Sequence, residues 1–358
     1  MAAFEVDDIQ AAGVRVPCEK TLSRLSDLSR GKCVSRPSPE NGLSSGGLNS
    51  LSASMSLTVV GSIAFDAVKS PFGEREKMLG GAAVHFSLAA SFFSDVRVVG
   101  PVGDDFGDDE YAVLRGRGVN TDDIEHVAGG ETFFWKAHYE FDMNTAHTED
   151  TQLGVFGEFE PKLSEESQSS DVLFLANIQP DIQRGVLEQS RARFSGLDSM
   201  NLWIETARDS LIRTIGGVDL LFLNDAELRM LTEEPNLVKA ARAVMEMGPS
   251  TVVAKQGEYG AALFNEDGFF AVPAYPLETV VDPTGAGDSF AGGFLGYLAS
   301  RDDASQEELR RAMVYGSTLA SFNVEEFGTE RVSRLTRDEI DERYGEFERM
   351  TALAGLPA

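Results

Sequence analysis

The sequence predicts an α/β fold in which a mostly parallel sheet is covered by helices on both faces. From Leu57 onward, short apolar runs rich in β-branched residues alternate with stretches of helical period. Most of those runs are continuously apolar, as strands buried on both faces must be. Ligands of such sheets gather at the carboxyl ends of the strands, so polar residues at those ends are the candidates for chemistry.

The elements follow in order. Residues 1–54 are rich in Ser, Gly, Pro and Arg and read as a flexible leader, with a short helix over "VPCEKTLSRLSDLSR" as the alternative. Met55 stands before the first strand, "LTVVGSIAF", and marks the expected start of the domain. A helix over "GGAAVHFSLAASFF", a strand "VRVVGPVG" and a helix around "FGDDEYAVLRGRG" come next. The stretch "GETFFWKAHYEF" partly alternates apolar and polar residues and so predicts strands with one exposed face, a candidate cover over a ligand. The alternation resumes with strand "DVLFLANI", helix "IQRGVLEQSRAR", strand "MNLWIET", helix "ARDSLIRTIG" and strand "VDLLFLN". Helices "DAELRMLT" and "NLVKAARAVMEMG" precede strands "STVVAKQG", "AALFN" and "FFAVPAY". Helices over "GAGDSFAGGFLGYLAS" and "SQEELRRAMVYGSTLASFNVE" follow, and residues 331–358 form a C-terminal helical segment.

Composition excludes several classes. With 58 Asp plus Glu against 31 Lys plus Arg, a net charge of -27 repels nucleic acid and anionic membranes. Only 8 of the cations are Lys, against 23 Arg; a surface this acidic suits a salt-rich, halophilic setting, with an ordinary acidic cytosolic enzyme as the alternative. The two cysteines, Cys18 and Cys33, both lie in the leader, which argues against a disulfide framework and for a cytoplasmic protein. The longest apolar runs are shorter than the roughly 18 residues a membrane span needs.

The stretch "DPTGAGDSF" holds the most chemistry. Asp282 sits at a strand end and Pro283 sets a turn. Gly285, Ala286 and Gly287 then open a helix whose first amides can seat an anion. Asp288, in the first turn, stands beside that seat and can take a proton from a hydroxyl attacking phosphorus; an aspartate there can equally be a cap. The stretch has no Gly-Lys-Ser/Thr ending of a Walker loop, and the chain has no dinucleotide-binding glycine turn. In "LLFLNDAE", Asn224 and Glu227 fit a capping box and equally fit metal and triphosphate handling. In "VVGSIAFD", Asp66 can accept hydrogen bonds from paired hydroxyls, and Gly80 and Gly81 permit close backbone approach to a ligand.

Together, "DPTGAGDSF", "NDAE", "GSIAFD" and the paired glycines resemble the ribokinase-like carbohydrate and nucleoside kinases, the PfkB family, over roughly residues 57–330. The resemblance implies a three-layer α/β/α core at 55–330, with a small β lid inserted at about 66–80 and 130–160. It implies transfer of the ATP γ-phosphoryl group to a hydroxyl of a sugar or nucleoside with Mg²⁺. Asp288 would be the base and Gly285, Ala286 and Gly287 the anion hole. Asn224 and Glu227 would handle phosphate and Mg²⁺, Glu227 through water, while "VAKQGEYGA" would put Lys255 and Gly257 on the nucleotide side. Asp66, Gly81 and Asp282 would lie on the substrate side. The "SFNVEEFGT" segment is similar to one that lies near adenine and, in some relatives, near a monovalent cation; no cation ligand is assigned.

Two departures stand out. Ala64 and His85 occupy positions where the ribokinase type has asparagines, which disfavours ribokinase itself and leaves His85 as a substrate contact or a buried structural histidine. Phe133, Phe134 and Trp135 could stack on a nucleobase or pack the lid's own inner face. A homodimer through the lid edge is the oligomer the reading permits. The alternative function is a non-catalytic nucleotide or metabolite sensor on the same fold; acceptor-dependent turnover separates the two.

Overall fold

The computed structural model describes residues 55–301 and 303–352. The expected leader and its cysteines lie outside the described residues.

Nine strands form one sheet in the order β13-β12-β11-β10-β9-β8-β1-β4-β5, and four form a second in the order β3-β2-β6-β7. In chain order they are β1 Leu57–Val60, β2 Ala64–Ser70, β3 Gly73–Gly80, β4 Val96–Val102, β5 Ile124–His126, β6 Phe133–Tyr139 and β7 Ala146–Gln152. The rest are β8 Val172–Leu175, β9 Phe194–Asp198, β10 Leu220–Asn224, β11 Thr251–Lys255, β12 Ala261–Asn265 and β13 Gly268–Val272. The large sheet is parallel from β11 to β5, and β12 and β13 close one edge antiparallel.

The apolar strands divide their side chains between two cores. Leu57, Val59, Val172, Phe174, Leu220, Phe222 and Val253 share one core with the helices Ala82–Ala90 and Ala286–Arg301. Val60, Leu173, Leu175, Leu221, Leu223, Val252 and Ala254 share the other with the helices Pro180–Gln189, Arg208–Ile215 and Leu237–Met245. Strand side chains alternate between faces, so a run such as "LLFL" must be apolar throughout to fill both layers. The result is a three-layer α/β/α core with a smaller separate sheet.

Three expectations need correcting. The run "LTVVGSIAF" is two strands, because residues 61–63 carry the chain from the large sheet into the small one; Asp66 therefore lies within β2. The expected strand "MNLWIET" is a helix, Asn201–Thr206, and the strand lies just upstream at Phe194–Asp198. Gly196 hid it: a glycine at its middle makes β9 read weakly as a strand, and a methyl there would lie tight against Leu295 Cδ1, at 3.1 Å. The helix expected over "IQRGVLEQSRAR" stops at Gln189, ahead of β9.

In the small sheet β2 pairs antiparallel with β3 and parallel with β6, and β7 is exposed along its length. Val68, Met78, Trp135 and Tyr139 of the small sheet, with Met143 of the loop between β6 and β7, pack on Phe327 and Val281 of the large body. Ser70 Oγ donates to Val281 O at 2.8 Å, so sheet and body are also joined through polar contacts. Among the described residues no helix is long and apolar enough to cross a membrane.

Candidate active site

The signature turn is anchored from its start. Asp282 is fully buried, and its two oxygens accept from Thr284 N–H and Gly328 N–H, both at 2.9 Å. Burial raises its carboxyl above the usual range, against the lowering effect of those two amides. Both oxygens are thus engaged by backbone, and Asp282 holds the turn. Tyr139 of β6 reaches the same turn, its hydroxyl 3.0 Å from Thr284 Oγ1.

Gly285 turns the chain at φ 74°, a left-handed conformation that favours glycine. A methyl there would lie 2.5 Å from Cδ2 of His85, so that ring lies directly against the turn. Ala286 N–H donates to Pro283 O at 3.2 Å and Ser289 N–H to Gly285 O at 2.8 Å. The amide of Ala286 is therefore already used. Of the three amides expected to seat an anion, those of Gly285 and Gly287 have no backbone acceptor among the described residues.

Asp288 follows in the first turn of Ala286–Arg301. Burial, then the negative charge of Asp198, pushes its carboxyl up to about 7, while Lys255 pulls the other way. Lys255, at the end of β11, pairs with Asp198, at the end of β9, at 2.6 Å. Burial disfavours the ammonium, but Asp198, Glu227 and Asp288 outweigh it and raise the Lys255 pKa. Its Nζ rests on Gly287, 2.8 Å from where a Cβ would be. Asn224 and Glu227 form a reciprocal cap on Asp225–Thr232, Asn224 Oδ1 accepting from Glu227 N–H and Glu227 Oε2 from Asn224 N–H, each at 2.8 Å. The Glu227 carboxyl is raised to about 7, by burial first, with Lys255 opposing and Asp198 adding.

Asp66 lies in β2 against Gly80, near the amide of Gly81. Burial, followed by the charges of Asp282 and Asp288, raises its carboxyl to about 7 despite that amide. Its cross-strand partners are Met78 of β3 and Trp135 of β6, so the three stand in one row. Gly81 has φ 95° and opens the helix on which His85 lies. Gly257 starts a short turn, and a methyl on it would lie 3.0 Å from Asn144 Oδ1 in the loop between β6 and β7.

The predicted residues thus fall into two groups that meet at Asp288. Asp66, beside Gly80 and Gly81, feels the charges of Asp282 and Asp288, and His85 lies against Gly285; Lys255, against Gly287, feels those of Asp198, Glu227 and Asp288. Gly257 lies where the small sheet's loop touches the body.

A sequence model of the pfkB family of carbohydrate kinases matches residues 54–335. This chain belongs to that family. It is a kinase, and membership implies transfer of a phosphoryl group from ATP to a sugar or a nucleoside. It is 29% identical to a cytidine kinase of Thermococcus kodakarensis over 254 residues, 69% of this chain and 90% of that one. It is 28% identical to a nucleoside kinase of Methanothermobacter thermautotrophicus over 273 residues, 70% of this chain and 80% of that one. The nucleoside kinase of Burkholderia thailandensis, solved with inosine, superposes at a TM-score of 0.67 and 19% identity, covering 82% of this chain and 98% of that one. That likeness shows the ribokinase fold.

Sequence reasoning missed Asp198, Tyr139, Ser289 and Asn323. Asp198 had a findable signal, a carboxylate ending a strand, once "FSGLD" is read as one. Ser289 stands inside "DPTGAGDSF", Asn323 inside "SFNVEEFGT" and Tyr139 inside "GETFFWKAHYEF", but nothing local marks the distant residues they touch.

Proposed function

We propose that this kinase transfers the γ-phosphoryl group of Mg²⁺-bound ATP to a sugar hydroxyl of a nucleoside, with Asp288 as the base. The observation that carries this is that Asp288, next to Gly287 in the turn, lies within electrostatic reach of both the buried Asp66 carboxyl and the Lys255 ammonium. The acceptor hydroxyl gives its proton to Asp288 as its oxygen bonds to the γ-phosphorus, and the bond from that phosphorus to the bridging oxygen of ADP breaks. A carboxyl raised to about 7 suits this work: a substantial fraction is ionised near neutral pH, and that form is basic enough to take the proton. The free amides of the turn and the helix dipole face the charge that builds on phosphorus.

ATP brings several negative charges to a place where Asp198, Glu227 and Asp288 already face one ammonium, Lys255. That imbalance fits a site that takes its nucleotide together with a divalent cation. Mg²⁺ in such sites is kept by phosphate and water with one or two carboxylates. Glu227 would hold it through water, and bound Mg²⁺ would neutralise charge on the phosphates.

A nucleoside is favoured over a free sugar by the row Met78–Asp66–Trp135. Asp66 can accept from the sugar hydroxyls, while the indole and thioether beside it offer an apolar face for a base. The two nucleoside-phosphorylating relatives support the same choice. The test is ADP release with ATP and Mg²⁺ over nucleosides, pentoses, hexoses and sugar phosphates, at low and high salt. Nucleoside-dependent turnover that Asp288→Asn abolishes, with a KM raised about tenfold by Trp135→Ala, is expected. A free sugar turned over with higher kcat/KM than every nucleoside would overturn the acceptor assignment.

A further inference from the structure

Behind the signature turn lies a buried polar group that the mechanism above does not use. Asn323 ends the helix Gln306–Asn323 and has no exposed surface. Its Nδ2 donates to Thr284 O at 2.7 Å, which sets the amide's orientation and leaves Oδ1 as an acceptor. That oxygen accepts from Ser289 Oγ and lies 3.0 Å from His85 Nδ1. An amide oxygen can only accept, so the imidazole proton belongs on Nδ1. Nε2, buried with no hydrogen-bond partner among the described residues, then carries a bare lone pair. A second proton there would find no acceptor. Burial accordingly pushes the His85 pKa down to about 4, although the bond to Asn323 favours the cation. The ring is neutral, in one tautomer, and lies against Gly285.

We propose that His85 and Asn323 are positioning residues for phosphoryl transfer: Asn323 ties the turn at Thr284 and Ser289, and holds His85 as a fixed floor under Gly285. This rests on reading 285–288 as the transfer turn. The two tie points bracket that segment, so its amides and the Asp288 carboxylate are held from both ends. The ring supplies the third contact, from below. A shift of about 1 Å in a reacting group can lower turnover on the order of a hundredfold, so a floor that fixes the turn acts on rate more than on affinity.

The test uses the full chain with His85→Phe, which keeps a ring but loses the Nδ1 donor, and Asn323→Leu, which removes both ties. Turnover should fall roughly 10- to 100-fold in each, with KM for ATP and acceptor within about threefold of wild type. His85→Asn, which keeps a donor near Oδ1, should retain more turnover than His85→Phe. In the ¹⁵N spectrum of wild type the His85 ring, identified by its loss in His85→Phe, should be the Nδ1–H tautomer at pH 7. A role in folding alone would lower the melting temperature and leave kcat of the folded enzyme intact. An Nε2–H tautomer in wild type, or kcat within about twofold of wild type in both variants, overturns the proposal. Asp288→Asn separates the two readings: full turnover in that variant sinks the assignment of the turn, whereas its loss beside unchanged His85 and Asn323 variants sinks only the positioning role.

Discussion

Gly285 and Gly287 stand two residues apart in the same turn, yet alanine at each should fail in a different way. At Gly285 the added methyl meets two obstacles. The backbone is left-handed, which disfavours alanine by roughly 1–2 kcal/mol. The methyl would also lie 2.5 Å from the His85 ring, which Asn323 holds in place, and overpacking of that kind costs about 1–3 kcal/mol. The sum, about 2–5 kcal/mol, corresponds to a melting temperature lower by roughly 4–10 °C in a chain of this size. At Gly287 the backbone is not left-handed, and the neighbour is Lys255 Nζ, the far end of a flexible side chain that can withdraw. Gly287→Ala should therefore melt within about 2 °C of wild type, yet lose on the order of 10² in kcat because the methyl closes the anion seat. Thermal denaturation and steady-state kinetics on both variants read these outcomes. If Gly285→Ala melts with wild type, the ring does not support the turn as described. If Gly287→Ala turns over normally, the anion does not sit at that amide.

Asp66, Glu227 and Asp288 all bind protons more tightly folded than unfolded, so stability should fall as pH rises from about 4 to about 7. Asp66→Asn should then be more stable than wild type at pH 7.5, on the order of 1–3 kcal/mol, and no more stable near pH 4. Turnover runs the opposite way, falling about tenfold per unit below pH 7 as Asp288 is protonated; a flat pH–rate profile from 5 to 8 would contradict the base assignment. Asp198→Asn takes from the half-buried Lys255 its hydrogen-bonded partner, leaving Glu227 and Asp288 to face it, and should destabilise by about 1–3 kcal/mol. The same change removes a charge that raises Asp288, so the acid limb of the rate profile should move to lower pH. Glu227→Gln can keep the helix cap, so the melting temperature should stay within about 2 °C while the Mg²⁺ needed for half-maximal rate rises about tenfold. An unchanged Mg²⁺ requirement would leave Glu227 as a cap alone.

Much of this protein is determined locally. Runs such as "LLFL" and "TVVA" are apolar at every position because each strand is buried on two faces, and that pattern alone predicts the layered sheet. The turn "DPTGAGDSF" is legible because a left-handed Gly285 and a first-turn Asp288 are demands of the backbone, written where they act. The Asn224–Glu227 cap is a contact over three residues and is equally visible. What the sequence could not decide is everything that depends on elements far apart meeting. β9 escaped notice because Gly196 answers to Leu295, a neighbour 99 positions away that no local window contains. The pairing of Asp198 with Lys255 follows from strand order, and strand order follows from packing the helices. The contact of His85 with Asn323 joins residues 238 apart, and the packing of both their helices on Ala286–Arg301 brings them together. Local periodicity thus settles what each segment becomes, whereas burial of one segment by another settles which charges are unpaired, which pKa values move and which residues hold the reacting turn.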